Sequence, residues 1–98
     1  MTFSEWQKFS QNINARAEKV SQSIRARAIA ISKAKLGPDD GFCFLAAHNW
    51  QGQSWMTAEQ NHAAREILYL ERMSWEPSRI ADRIISRAWI ATRKDAVR

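Results

Sequence analysis

The segment that decides the fold is residues 3–36, FSEWQKFSQNINARAEKVSQSIRARAIAISKAKL, which contains neither glycine nor proline. Its apolar residues recur at steps of three and four, and this pattern repeats every 11 residues rather than every seven. The positions in question are Trp6, Phe9, Ile13, Ala17, Val20, Ile24, Ala28 and Ile31. On a helical wheel they fall within one sector of roughly 100°, so the segment predicts a single long amphipathic helix.

Charge is unevenly distributed along the chain, whose net charge is +5. Residues 1–36 carry seven basic and two acidic residues, residues 37–76 carry two basic and six acidic ones, and residues 77–98 carry six basic and two acidic ones. Five basic residues of the first helix lie beside its apolar sector: Lys8, Arg16, Lys19, Arg27 and Lys33. Two basic segments around an acidic one are typical of a protein that binds a polyanion, but they also fit solvated faces or an acidic protein partner.

The first helix is expected to begin and end at clear signals. Ser4 is the predicted N-cap, with Gln7 completing a weak capping box. Gly37 and Pro38 end the helix, since glycine suits the position after a helix and proline cannot continue one. The apolar run 42–50 is short enough to be helix or strand, and we expect a helix because a lone strand has nothing to pair with.

Residues 57–97 predict a second long helical region that is broken or kinked at Pro77. Thr57 and Gln60 form a capping box, which starts a helix over about 58–73. Pro77 fits the first turn of a following helix, where its missing N–H is not needed. The fold expected from the sequence is therefore all-α, a small bundle of about three helices with a long amphipathic N-terminal helix.

The 98 residues are expected to form one domain, because 45% apolar residues supply one modest core and not two. The domain comprises a long basic helix over 1–36, a connector over 37–56 and a helical pair over 57–98. The sequence contains no run of 18 apolar residues, so it predicts no membrane-spanning helix. One cysteine excludes an internal disulfide and favours a reducing compartment, so we expect a cytoplasmic protein.

Residues capable of catalysis or metal binding are sparse. Cys43, His48 and His62 match no zinc-ligand spacing, and Cys43 lies between two phenylalanines, which favours an inert buried thiol. Asp39 and Asp40 are adjacent turn residues that brace the loop rather than a catalytic pair. No glycine-rich phosphate loop is present. We therefore expect no enzyme activity, no metal and no cofactor.

The stretch SWEPSRIADRI at residues 74–84 resembles the middle helix of bacterial and phage helix-turn-helix domains, in which tryptophan, a proline and an Ile-Ala pair recur. The resemblance covers residues 55–98, with 57–72 as the preceding helix and 92–98 as the start of a recognition helix. It implies that four residues face the major groove and phosphates of DNA, namely Thr92, Arg93, Lys94 and Arg98. It also implies that Ser78 and Arg79 contact the DNA backbone. Residues 85–89 continue the helical pattern where the family has a turn, so one uninterrupted helix over 77–97 is the alternative.

Two functions remain open on the sequence alone. The first is a small protein that binds DNA or RNA, directly or within a nucleoprotein complex. The second is a protein-interaction module, such as a small subunit of a larger assembly or a phage anti-defence inhibitor. The long apolar stripe also predicts self-association, because it exceeds what shorter helices can cover. The face expected to pair is the one formed by Trp6, Phe9, Ile13, Val20 and Ile24.

Overall fold

A computed structural model describes the backbone of residues 1–97 and the side chains of residues 1–93. It contains three helices, which are α1 (Phe3–Lys35), α2 (Phe42–Trp50) and α3 (Ala58–Val97). Residues 1–97 contain no strand. The predicted all-α fold with a long N-terminal helix is confirmed, and so is the helix over 42–50.

Helices α1 and α3 form a long antiparallel hairpin. The two helices contact each other at both ends of the hairpin and in its middle. Near the termini, the indole Nε1 of Trp6 donates a hydrogen bond to the carbonyl of Ile85 at 3.2 Å. Halfway along, Ser21 Oγ donates to the carbonyl of Ser74 at 2.7 Å. Near the connector, Lys35 forms an ion pair with Glu59. The hairpin is narrow, with Cα extents of 65, 19 and 15 Å along its principal axes.

Small side chains fill the contact between the two long helices. The buried residues of α1 are Ala17, Ser21, Ala28 and Ser32, at steps of four, seven and four. Those of α3 are Ala63, Ala64, Ile67, Leu70, Ser74 and Ala81. Short side chains allow two helix backbones to approach closely, which brings the Ser21 hydroxyl within reach of a carbonyl on the facing helix.

This packing corrects the predicted 11-residue apolar stripe. Val20 belongs to that stripe but is half exposed, whereas the neighbouring Ser21 is buried. Ser32 is buried as well, although it is polar. The pattern of large apolar residues is therefore shifted from the true contact line, because close packing of helices selects small side chains rather than large hydrophobic ones.

Capping explains where the long helices begin. The N-cap of α1 is Thr2 rather than the predicted Ser4, because Thr2 and Glu5 exchange two backbone–side-chain hydrogen bonds of 3.2 Å. These bonds lower the pKa of Glu5. The predicted box of Thr57 and Gln60 is confirmed by the equivalent bonds of 3.0 and 3.1 Å.

Residues 58–97 form one helix that contains Pro77, so of the break or kink predicted at this residue the break into a helical pair is wrong. No turn separates residues 77–84 from residues 92–97, and the structure has the uninterrupted alternative. Pro77 has no N–H for the Met73 carbonyl, which weakens the helix at this turn. Packing along α1 compensates on both sides of the proline, through Ser21 before it and Trp6 after it. The resemblance to helix-turn-helix domains stays a prediction of the sequence.

Helix α2 lies within the connector, residues 37–56, and packs on one face of the hairpin at that end. Its Cys43 and Ala47 join the buried core with Ala28, Ala64 and Ile67. Leu68, Phe44 and Trp50 surround this cluster as partly buried residues. The core is therefore concentrated at the connector end, and the opposite face of the hairpin has no third helix within residues 1–97.

The two buried serines of α1 provide a matched test of this packing. Ser21→Ala removes the hydrogen bond to the Ser74 carbonyl, whereas the buried Ser32 hydroxyl has no hydrogen-bond partner among the described residues. Both variants replace serine by alanine within α1, so the gain in helix propensity is the same in both. We expect Ser21→Ala to be less stable than Ser32→Ala by about 1 kcal/mol in urea denaturation. Equal stabilities would contradict the interhelical hydrogen bond.

Candidate nucleic-acid interface

The back of α1, away from α3, carries a line of lysines. Lys8, Lys19 and Lys33 are exposed and are separated by 11 and 14 residues, or about three and four helical turns. They therefore project from the same edge of the hairpin, and we name them the lysine edge. None of them forms an ion pair with any side chain that the structure describes.

Two further predicted residues, Arg16 and Arg27, are also exposed but lie towards one face of the hairpin. Arg27 lines a surface groove of about 360 Å³ together with Glu66 and Met73 of α3. Its guanidinium therefore has a carboxylate of the facing helix at the rim of the same groove. The five basic residues predicted on α1 are thus divided between an edge and a face.

The residues predicted to contact nucleic acid on α3 differ in their exposure and in their hydrogen bonds. Ser78 and Arg79 are exposed, and Arg79 lies 3.3 Å from the carboxylate of Glu76. Thr92 is half-buried, and its hydroxyl donates to the carbonyl of Ala88 at 2.9 Å. That hydroxyl is engaged within its own helix, so the role implied for Thr92 in groove contact is not supported by its position.

The last predicted residues lie near the end of α3. The Arg93 guanidinium is exposed and stacks over the Trp89 ring, with Cζ 6.0 Å from the ring centroid. Trp89 in turn contacts Trp6 at 4.9 Å between ring centroids. The side chain of Lys94 and the whole of Arg98 lie outside the described residues. Arg93 therefore belongs to an aromatic cluster that closes this end of the hairpin.

A second basic line lies on the back of α3, and of its residues the sequence predicted only Arg79 as a contact. Arg65, Arg72, Arg79 and Arg83 follow one another at steps of seven, seven and four, and all are exposed. This arginine edge lies on the opposite side of the hairpin from the lysine edge, because each edge points away from the facing helix. The heptad spacing of the arginines was the available signal. A charge sum over residues 37–76 does not reveal Arg65 and Arg72, because the six acidic residues of that segment outweigh them.

A shallow groove of about 490 Å³ runs beside the arginine edge. Arg65 and Arg72 line it, together with the exposed rings of Tyr69 and Trp75. At its wall, His48 Nε2 lies 3.3 Å from Glu71 Oε1. Aromatic rings in a groove that basic side chains also line suit stacking with nucleic-acid bases while the guanidinium groups contact phosphates.

The residues able to perform covalent chemistry are not assembled into a site. Cys43 is fully buried in the core, and burial raises the pKa of its thiol, with Asp40 and Glu71 adding to the effect. His48 is exposed and faces Glu71. Among the described residues, no three histidine, cysteine or acidic side chains are placed to hold a metal ion.

Comparison with known proteins finds no protein-family model, no curated protein and no solved structure that matches this chain. Over the described residues, none of the helices combines the length and the apolar character needed to cross a membrane.

The buried thiol gives a direct test of the core around α2. Because burial raises the pKa of Cys43, less thiolate is present at pH 8 than for a free cysteine. We expect slow reaction with a thiol reagent in the folded protein and fast reaction in denaturant, followed by absorbance. Equal rates in the two conditions would contradict the burial of Cys43.

Proposed function

We propose that this protein binds nucleic acid through exposed basic residues on the edges of its helical hairpin, without catalysing a reaction. The observation that carries the proposal is the segregation of charge. Between Lys8 and Lys33 no acidic residue lies on the lysine edge, since Glu18 lies about 100° around the helix from Lys19. Basic side chains in a line, unneutralised by neighbours, are the electrostatic footprint of a polyanion site.

The lysine edge has the dimensions of a phosphate-contacting surface. Lys8 and Lys33 are 25 residues apart in one helix, or roughly 38 Å, which is slightly more than one turn of duplex DNA. Lysines contact phosphates as point charges and carry no sequence information. Binding through this edge is therefore expected to be independent of sequence and strongly dependent on salt.

The arginine edge favours a different kind of contact. Its groove is lined by Trp75 and Tyr69 together with Arg65 and Arg72, and both rings are exposed. Unpaired bases stack on such rings, whereas bases within a duplex are already stacked. A preference for single-stranded over double-stranded probes at this edge is therefore part of the proposal.

The proposal is tested by fluorescence anisotropy titration at several salt concentrations with duplex DNA, single-stranded DNA and RNA. The double variant of Lys8→Gln and Lys19→Gln is expected to weaken duplex binding. The slope of log affinity against log salt should fall in magnitude by about 0.9 for each phosphate that the variant no longer neutralises. The fold should be unaffected, because both side chains are exposed.

The matched control is the double variant of Arg25→Gln and Lys35→Gln, which changes net charge by the same amount. Arg25 lines the α2 side of the hairpin, and Lys35 is paired with Glu59. The control is expected to retain a salt slope close to that of the natural chain. Equal weakening in both double variants would contradict the lysine edge. Failure of the natural chain to bind any probe at low salt would overturn the proposed function.

A further inference from the structure

Helix α2 covers one face of the hairpin at its connector end, and the opposite face exposes apolar side chains. On α3 these are Met73, Ile80 and Ile84, which are 39%, 51% and 39% exposed and are spaced by seven and four residues. On α1 the half-exposed Val20 continues the same surface. We name this surface the open face.

Surface grooves show that the apolar flanks of the two helices adjoin on this side. One groove is lined by Ser23 and Arg27 of α1 and by Tyr69 and Met73 of α3. Ser23 lies one helical turn from Val20, which places Val20 on the same flank of α1. A second groove of about 500 Å³, nearer the connector, is lined in part by Ile31, Ala34 and His62. The open face therefore runs from about residue 62 to residue 84 of α3, a length of roughly 33 Å.

We infer that the open face is the surface through which two copies of this chain pair. Two adjacent helices are roughly 18 Å wide, so a face of this length offers about 600 Å² on each copy. A pair would bury about 1,200 Å² in total, which reaches the range of specific interfaces. The product is a four-helix bundle whose second layer supplies the apolar contacts that α1 and α3 lack on this side.

One pair of opposite charges on the open face, Arg27 and Glu66, fits this pairing. Arg27 of α1 and Glu66 of α3 lie at the same level of the hairpin, because they line one groove. A two-fold axis along the hairpin places α1 of one copy over α3 of the other, antiparallel and at the same level. Arg27 then faces the partner's Glu66, twice in the dimer. Val20 and Met73 meet in the same way, since they lie at neighbouring levels.

This interface differs from the one that the sequence predicts. Trp6 packs against Trp89 and is not free to meet a second copy, whereas Ile24 packs partly against the core and also lines the groove on the open face. The expectation assumed that only short helices cover α1, whereas α3 has 40 residues and runs back along it. Val20 stays at the interface, and α3 supplies most of the rest.

Pairing is independent of the proposed nucleic-acid binding. The basic side chains of the lysine edge and the arginine edge point sideways and remain outside the paired faces, and Tyr69 lines grooves on both the arginine edge and the open face. A dimer that binds no nucleic acid would leave this inference intact. A monomer that binds nucleic acid would overturn it and leave the proposed function standing.

Sedimentation velocity over a wide range of concentrations measures the pairing directly. The natural chain is expected to sediment with twice the 11.3 kDa mass of one chain. Ile80→Glu is expected to weaken pairing roughly tenfold or more, since a carboxylate would be buried without a partner. The matched control is Ile90→Glu, because Ile90 is equally exposed, at 53%, but lies about 80° around α3 from Ile80 and away from the open face. Circular dichroism checks that both variants remain helical.

A charge exchange tests the orientation. Arg27→Glu alone and Glu66→Arg alone are each expected to weaken pairing, since each places like charges opposite one another. The two together are expected to restore it. A natural chain that sediments at 11.3 kDa at every concentration would overturn the inference. So would unchanged mass in Ile80→Glu, equal weakening of pairing in Ile80→Glu and Ile90→Glu, or single charge variants that pair as well as the natural chain.

Discussion

The close approach of α1 and α3 along a row of small side chains is the constraint on which the rest of the structure depends. Ala17, Ser21 and Ala28 leave room for the facing helix, and Ser21 bonds directly to the backbone of α3 at Ser74. This contact lies in the turn that Pro77 weakens. Packing against α1 therefore holds α3 as one helix of 40 residues, where the local sequence alone favours a break.

The hairpin also determines where charge and apolar surface lie. Each long helix turns its small residues inward, so its back forms an edge, and the two edges carry three exposed lysines of α1 and four exposed arginines of α3. Helix α2 covers one of the two remaining faces at the connector end. The other face keeps exposed apolar residues, including Met73 and Ile80. Nucleic-acid binding at the edges and pairing at the open face therefore use adjoining surfaces of one molecule, which share Tyr69.

Much of the fold could be predicted because it depends on local signals. The absence of glycine and proline from residues 3–36 predicted the long helix α1. The capping box at Thr57 and Gln60 predicted where α3 begins. The continuity of α3 could not be predicted, because Pro77 is a local breaker whose effect is offset by contacts with residues more than 50 positions away. Apart from Arg79, the arginine edge was also missed, since a charge sum over a segment does not show that Arg65 and Arg72 share one face.

The distance between spin labels on the two long helices tests the central claim, which is that α3 runs uninterrupted back along α1. Cysteines at Asn12 and Ser86, in a Cys43→Ala background, carry the labels, and pulsed electron resonance measures their separation. Dilution with unlabelled protein removes distances between copies. The hairpin predicts roughly 20–30 Å, about the width of two packed helices with their labels. A distance beyond about 40 Å would mean that α3 leaves α1 after Pro77, and would contradict the account.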